Sequence, residues 1–406
     1  MKSSPFSRTT TLFQKVSKRQ LLITIAVVVV IFGLFVVFFL DKNSQSEKAT
    51  LLAKKENTKL SKQLSSLKIQ FDTLKNTDQV KRNDNLESTV KKVQKSYNDS
   101  IPVYEKMVDL PATNKDLTSY RKRFAKALKY LSDLKYSSGS AEIASLNSDI
   151  DKANAAALAL AGGIDLSNVP VNNTPPGSGY SRQQVKVGDS TYLVDVVAGN
   201  LSSTKVVVDT ASDDDCHDNC PTLPLGTYIS RQGAYAGING SYFCPAEYPS
   251  CAGKTNSFDT LAMNTKKHYF NSDNNVYSTV PVVVFGSGWV RFIGNSSGWG
   301  RDTGVDGVLA NQPLLVSGSN SVFGGDGDPK KGSKGNRSFV ANKGNTVYIG
   351  VVRGVTVTQS ALVLQAMGME NALNLDSGSS TALWAGDGYK AGPGRNIPNA
   401  ILFVNK

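Results

Sequence analysis

Apolar residues take three different spacings along the chain, and each marks a different kind of structure. From Leu21 to Leu40 they run unbroken by any charge, with Thr24 the only hydroxyl. A helix of that length, rising about 1.5 Å per residue, covers roughly the 30 Å of a bilayer core. A cleaved secretory signal carries a shorter apolar region, about 7 to 15 residues, that ends in small side chains. This run ends in Phe38, Phe39 and Leu40, followed by Asp41 and Lys42. The pattern therefore predicts a retained transmembrane helix over 21–40.

From Ser44 to Ala161 the apolar positions recur at helical spacing. Leu60, Leu64, Leu67, Phe71 and Leu74 step by four and three, and Leu86, Val90, Val93 and Tyr97 repeat that seam in a new phase after the polar stretch Asn76 to Asn85. Pro102 and Pro111 are expected to interrupt a third helical section, and Phe124, Leu128 and Leu131 resume it on one face. This predicts a helical stalk over 41–161, acting as a spacer or homodimerising coil, or else a hairpin bundle folded on itself.

Gly162 and Gly163 end the helical material, and the stretch through Val169-Pro170 and Pro175-Pro176-Gly177 predicts a flexible linker over 162–180. Beyond it, short apolar runs alternate with Gly, Asn, Asp and Ser. Strands are predicted at Thr191–Val197, Lys205–Asp209, Val280–Phe285, Trp289–Ile293, Val308–Val316, Thr346–Val352 and Ala400–Val404. One helix is predicted at Gln359–Met367, with Thr358 as N-cap and Gly368 as its stop. Residues 181–406 thus read as a strand-rich α+β domain large enough to bury its own core.

Charge sharpens this division. Residues 1–160 hold 27 Lys and Arg against 15 Asp and Glu, whereas residues 161–406 hold 18 of each. The basic excess belongs to the anchor and stalk, and the neutral C-terminal domain is poorly suited to nucleic acid. Lys2, Arg8, Lys15, Lys18 and Arg19 precede the apolar run without an acidic residue among them. The positive-inside rule then predicts a cytoplasmic tail over 1–20 and an extracytoplasmic C-terminal domain. Basic charge beside the membrane suits anionic lipid or an acidic envelope polymer.

All four cysteines, Cys216, Cys220, Cys244 and Cys251, lie beyond the membrane on this topology. An even number in an exported domain favours disulfides. Three pairings are open, and the sequence-local one is expected: Cys216 with Cys220, and Cys244 with Cys251. Zinc is the competing reading, because Cys216-His217-Asp218-Asn219-Cys220 offers thiols and an imidazole, but that spacing is no standard finger. Asp213-Asp214-Asp215 and Asp326-Gly327-Asp328 offer oxygens for calcium without a complete ligand pattern, so solvated loops are favoured and no cofactor is expected.

The chain has only two histidines, His217 and His268, and no Ser in a G-x-S-x-G setting, which argues against a histidine-dependent hydrolase. Gly327 and Gly332 have Walker-loop spacing, but Ser333 stands where the lysine belongs. Chemistry is left to carboxylates, arginines and backbone amides. The richest segment is Asn374-Leu375-Asp376-Ser377-Gly378-Ser379-Ser380-Thr381, where a strand is expected to end at Asp376 beside a loop of free N–H groups and hydroxyls. Such a nest holds anionic oxygen.

Three further segments accompany it: Asn239-Gly240-Ser241-Tyr242-Phe243, Asn336-Arg337-Ser338, and Gly394-Arg395 ahead of Asn399-Ala400. In that order they resemble the phosphodiester glycosidase family over roughly Gln184 to Lys406. The family's glycine run is reduced here to Ser377-Gly378 and is one residue shorter. The resemblance implies hydrolysis of a sugar 1-phosphodiester, with Asp376 and Arg337 catalytic. It further implies Asn239, Gly240, Gly378, Ser379, Ser380, Arg395 and Asn399 as substrate-binding residues. An arginine fork suits the diester anion, and a phosphate leaving group relaxes the demand for a strong acid. Glu247, Asp259 and Glu370 are candidates for a second carboxylate. The expected substrate is an envelope glycan or glycolipid near the membrane; the competing expectation is a non-catalytic module that binds an envelope polymer on a coiled-coil tether.

Overall fold

A computed structural model describes residues 18–110, 117–161, 168–274 and 276–406. Pro111, Gly162, Gly163 and the basic residues Lys2, Arg8 and Lys15 lie outside them. The chain divides into two units, one ending at Val90 and the other spanning Lys91–Lys406. Four helices come first: α1 (Lys18–Lys75), α2 (Asp78–Val108), α3 (Leu117–Ser132) and α4 (Tyr136–Ala161).

Helix α1 contains the apolar run, and among the described residues it is the one helix long and apolar enough to cross a bilayer. It continues unbroken into the first heptad seam, so Leu60, Leu64, Leu67, Phe71 and Leu74 all stand exposed along it. The register break falls at Asn76–Thr77, within the predicted polar stretch.

From Lys91 onward the helices fold on themselves. Val103, Met107 and Leu110 bury against Tyr120, Ala127 and Leu131 of α3 and Ile143, Leu146 and Ile150 of α4. Lys106 bonds Asn147 and Asp151, and Arg123 bonds Glu142 and Asp149. Pro102 does not interrupt the helix as expected. It lies inside α2, and the buried Ser96, Ser100, Val103 and Met107 around it hold that stretch helical.

Part of the expected linker is fastened to the strand that follows it. Asn172 N–H donates to Gln184 O, Gln184 N–H donates to Pro170 O, and the Asn173 side chain brackets Lys186. Residues 170–174 are therefore fastened along the next strand.

The remaining elements are β1 (Gly179–Val187), β2 (Ser190–Asn200), β3 (Thr204–Thr210), α5 (Leu225–Gln232), β4 (Ala236–Asn239), β5 (Ala262–Met263), β6 (Tyr269–Phe270), β7 (Val282–Gly286), β8 (Trp289–Ile293), β9 (Gly307–Ala310), β10 (Leu314–Ser317), β11 (Asn320–Ser321), α6 (Pro329–Gly332), β12 (Gly335–Lys343), β13 (Thr346–Val355), α7 (Val357–Ala366), β14 (Asn371–Asn374), β15 (Leu383–Ala385), β16 (Gly388–Ala391) and β17 (Asn399–Asn405).

They build three antiparallel sheets, ordered β1-β2-β13-β12-β14-β10-β11, β16-β15-β4-β17-β3 and β6-β5-β9-β7-β8. The period of two in β2 decides which sheet face meets which layer. Val194, Val196 and Ala198 turn toward α7, while Val197 packs with Ile401 and Phe403 of the second sheet. The second sheet's other face, with Ala400 and Leu402, is covered by Tyr228 and Ile229 of α5. The result is an α+β sandwich, helix on sheet on sheet on helix.

Two local expectations need correction. The run Val308–Val316 is not one strand: Asn311, Gln312 and Pro313 divide it into β9 and β10, which belong to different sheets. Helix α7 is capped by Thr356, not Thr358, through a capping box with Gln359. Both disulfides have the sequence-local pairing, Cys216–Cys220 and Cys244–Cys251.

Candidate functional site

The segments singled out in the sequence meet at the ends of β4, β12, β14 and β17. Strand β14 stops at Asn374, two residues earlier than expected, so Asp376 stands on the loop itself. Its N–H donates to Gly240 O at 2.9 Å, Ser377 N–H donates to Asp376 Oδ1 at 2.8 Å, and the buried Ser380 hydroxyl donates to its carboxylate. Gly378, at φ +66, turns the chain so that this loop folds back over the carboxylate.

Only an edge of Asp376 reaches the surface, and protein surrounds its carboxylate on most sides. Burial pushes its pKa from 3.8 up to about 6, against the pull of Ser380, Ser377 and Arg395.

Arg337, on β12, is buried and bonds only carbonyls among the described residues: Nε to Val355 O at 3.2 Å, and Nη2 to Lys330 O at 2.8 Å and to Ser333 O. Burial lowers its pKa, while the nearby Tyr242, Asp328 and Asp376 oppose that shift. Among the described residues no carboxylate pairs with it directly, so it is a cation held in place with charge to spare for an anion. Arg395, on the loop before β17, lies over the Tyr248 ring at 5.2 Å and approaches Glu247 at 3.6 Å. Its N–H donates to Ser379 O, which ties the two loops together.

Asn239 and Asn399 are not where a substrate would touch them. Both are fully buried. Asn239 Oδ1 accepts from Ser338 Oγ at 2.9 Å and from Ala382 N at 3.1 Å, and its Nδ2 donates to Asp376 O at 2.6 Å. It therefore pins the carboxylate loop to β12. Asn399 Oδ1 accepts from Ser241 N at 2.8 Å, and its Nδ2 donates to Ser241 Oγ at 3.0 Å. Gly240 lies against Asn399 so closely that a Cβ would overlap the amide. These residues position the loop, whereas Gly378 and Ser379 remain at its surface.

The candidates for a second carboxylate separate. Glu247 lies beside Arg395, but Glu370 accepts from Asn342 at 3.1 Å. Asn342 is five residues along β12 from Arg337, about 16 Å at the rise of a strand. Asp259 has no contact with Asp376, Arg337 or Arg395 among the described residues, its carbonyl accepting from Asn274. The acidic clusters considered for calcium are engaged with protein partners: Asp213 with Lys266 and Asp215 with Asn271 N–H on a distant segment, and Asp326 with Lys331 and Asp328 with Lys330 N–H within their own loop. Among the described residues no three His, Cys, Asp or Glu side chains converge as metal ligands.

Sequence reasoning overlooked three residues that the fold brings here, Asn311, Tyr248 and Asp109. Asn311 accepts from Tyr242 N and donates to Asn374 O, and Asn374 Nδ2 donates to the buried Tyr242 hydroxyl at 2.7 Å. The signal for Asn311 was a polar triplet inside an apolar run. Tyr248 and Asp109 also reach the site: the Tyr248 hydroxyl and the Arg395 guanidinium both donate to the Asp109 carboxylate. No local pattern at the end of α2 announces that role.

Residues 232–404 match the phosphodiester glycosidase family. Among solved structures, the catalytic domain of zebrafish N-acetylglucosamine-1-phosphodiester alpha-N-acetylglucosaminidase, auto-inhibited by its pro-peptide, is 13% identical at a TM-score of 0.44, covering 59% of this chain and 87% of that one. A hypothetical protein from Synechocystis is 14% identical at a TM-score of 0.40, with 56% of this chain matched to 62% of its length. A putative exported protein from Burkholderia pseudomallei is 10% identical at a TM-score of 0.35, covering 53% and 74%. No curated protein matches the chain.

Proposed function

We propose that the chain is a membrane-anchored, extracytoplasmic glycosidase that hydrolyses a sugar 1-phosphodiester of an envelope glycan or glycolipid. The observation that carries this reading is the half-buried Asp376, its pKa raised to about 6, in the electrostatic reach of two arginines, one of which has no carboxylate partner among the described residues. The diester anion is held by the guanidinium groups of Arg337 and Arg395, with the exposed Gly378 and the half-buried Ser379 lining its approach. Above pH 6 the ionised Asp376 takes a proton from water as that water's oxygen bonds to the anomeric carbon. The anomeric C–O bond breaks, and its electron pair leaves on the phosphate monoester, whose developing charge the arginines stabilise. Asn239 and Asn399 act by holding the loop. The family match over 232–404 supports the same reaction class.

The apolar stretch of α1, its basic flank and the two disulfides support placement outside the cytoplasm on a single-pass anchor. The exposed heptad seam of α1 supports self-association of the stalk. The test uses the full chain in detergent with N-acetylglucosamine-1-phosphodiesters of several aglycones. Free sugar is expected from the wild type and not from Asp376→Asn or Arg337→Lys. Binding of envelope polymer without release of sugar from any diester would replace the enzyme with a binding module.

A further inference from the structure

Arg395, assigned above to the substrate phosphate, already holds an anion: the carboxylate of Asp109, at the end of α2. The contact is built on several sides. Tyr248 donates its hydroxyl to the same carboxylate, and Ser379 Oγ donates to the Asp109 backbone carbonyl at 2.9 Å. One turn earlier, Glu105, whose side chain is 5% exposed, takes the Ser250 hydroxyl and pairs with Lys330 at 3.0 Å. Two residues of the candidate site, Arg395 and Ser379, are thus committed to one residue of the helical module. Asp109 is electrostatically felt at Asp376, where it pushes the carboxyl pKa further up. It also lies outside residues 232–404, so it is an addition to the segment matched to the family.

Resting on the phosphodiester reading, we propose that Asp109 is an internal anion that occupies the phosphate position on Arg395, so that the helical module of residues 91–110 and 117–161 latches the site against its substrate. A carboxylate and a phosphodiester make the same demand on a guanidinium, a planar pair of N–H donors facing negative oxygen; Asp109 takes Arg395 Nη2 and leaves Nη1 without a hydrogen bond among the described residues, so a diester gains the full pair only by displacing Asp109. Substrate must displace the α2 end from Arg395 and Ser379 before it can bind. Its apparent affinity is then reduced by the fraction of molecules in which the latch is open. Glu105 serves as the hinge-side anchor, holding α2 to Ser250 and Lys330 without touching Arg395.

The experiment uses the full chain in detergent, with the Asp109→Ala and Glu105→Gln variants. Folding is checked by tryptophan emission, because all three Trp lie in the strand-rich domain. Affinity for N-acetylglucosamine 1-phosphate is measured by calorimetry, beside turnover of a methyl phosphodiester of the same sugar. Asp109→Ala should bind the sugar phosphate about tenfold more tightly, as expected for removing a latch closed in roughly nine molecules of ten, and should raise kcat/KM to match. Glu105→Gln should change both in the same direction by less. Unchanged or weaker binding by Asp109→Ala overturns the proposal. So does a fall in turnover relative to an active wild type, which would make Asp109 the second carboxylate of the reaction. If no form turns over any diester, tighter binding by Asp109→Ala still upholds the latch, and only the glycosidase reading falls.

Discussion

Replacing Asp376 by Asn should stabilise the protein while abolishing its activity, and the two effects should separate with pH. The folded-state pKa of about 6 stands above the ordinary 3.8, so the fold favours the protonated, neutral carboxyl. Its contribution to stability is complete below about pH 3.8 and is lost as pH rises through about 6. A difference of roughly two pH units corresponds to about 3 kcal/mol between those limits. Asparagine has nearly the shape of the neutral acid and never ionises. It keeps an acceptor for Ser377 N–H and loses only the charge-assisted part of the Ser380 bond. The variant should therefore gain about 2 kcal/mol over the wild type at pH 7.5 and nearly nothing at pH 4. Urea unfolding followed by tryptophan emission at both pH values measures this in the strand-rich domain alone. An equal stability difference at pH 4 and pH 7.5 would show that Asp376 titrates as an ordinary carboxylate, and the reasoning about its burial would fail.

Other outcomes follow from the same geometry. Wild-type kcat/KM should fall on the acid side with an apparent pKa near 6, because protonated Asp376 cannot accept a proton; a limb near 4 would contradict its assignment as the base. Asn239→Ala orphans Ser338 Oγ, Ala382 N–H and Asp376 O, and should cost about 3 kcal/mol in the same unfolding assay, with loss of turnover, whereas a substrate contact alone would leave stability unchanged. Asp195 is fully buried between Arg182, Arg353 and Tyr180, so Asp195→Ala should destabilise by about 3 to 5 kcal/mol, read as a lowered urea midpoint.

Much of this protein was determined by its sequence, wherever the governing interaction is local. Twenty uncharged residues select a membrane-length helix because every backbone group is satisfied within the segment. The strand at Trp289–Ile293 was placed to the residue, and the pairing of four cysteines followed loops of four and seven residues that the fold then used. The order of the Asn239, Arg337, Asp376 and Arg395 segments was equally visible, and all four meet.

Only the tertiary structure decided what each does. Asn239 and Asn399 bear the same motif signal as Asp376, yet they are buried bracing because the ends of β4 and β17 turn their amides into the loop. Leu309 and Leu315 share one apolar run but enter different sheets, since Pro313 and its polar neighbours interrupt the ladder. Asp109 reaches Arg395 across 286 residues of sequence. No periodicity encodes such a contact. It arises when a helix end and a loop, each folded by its own local rules, are brought together by the packing of everything between them.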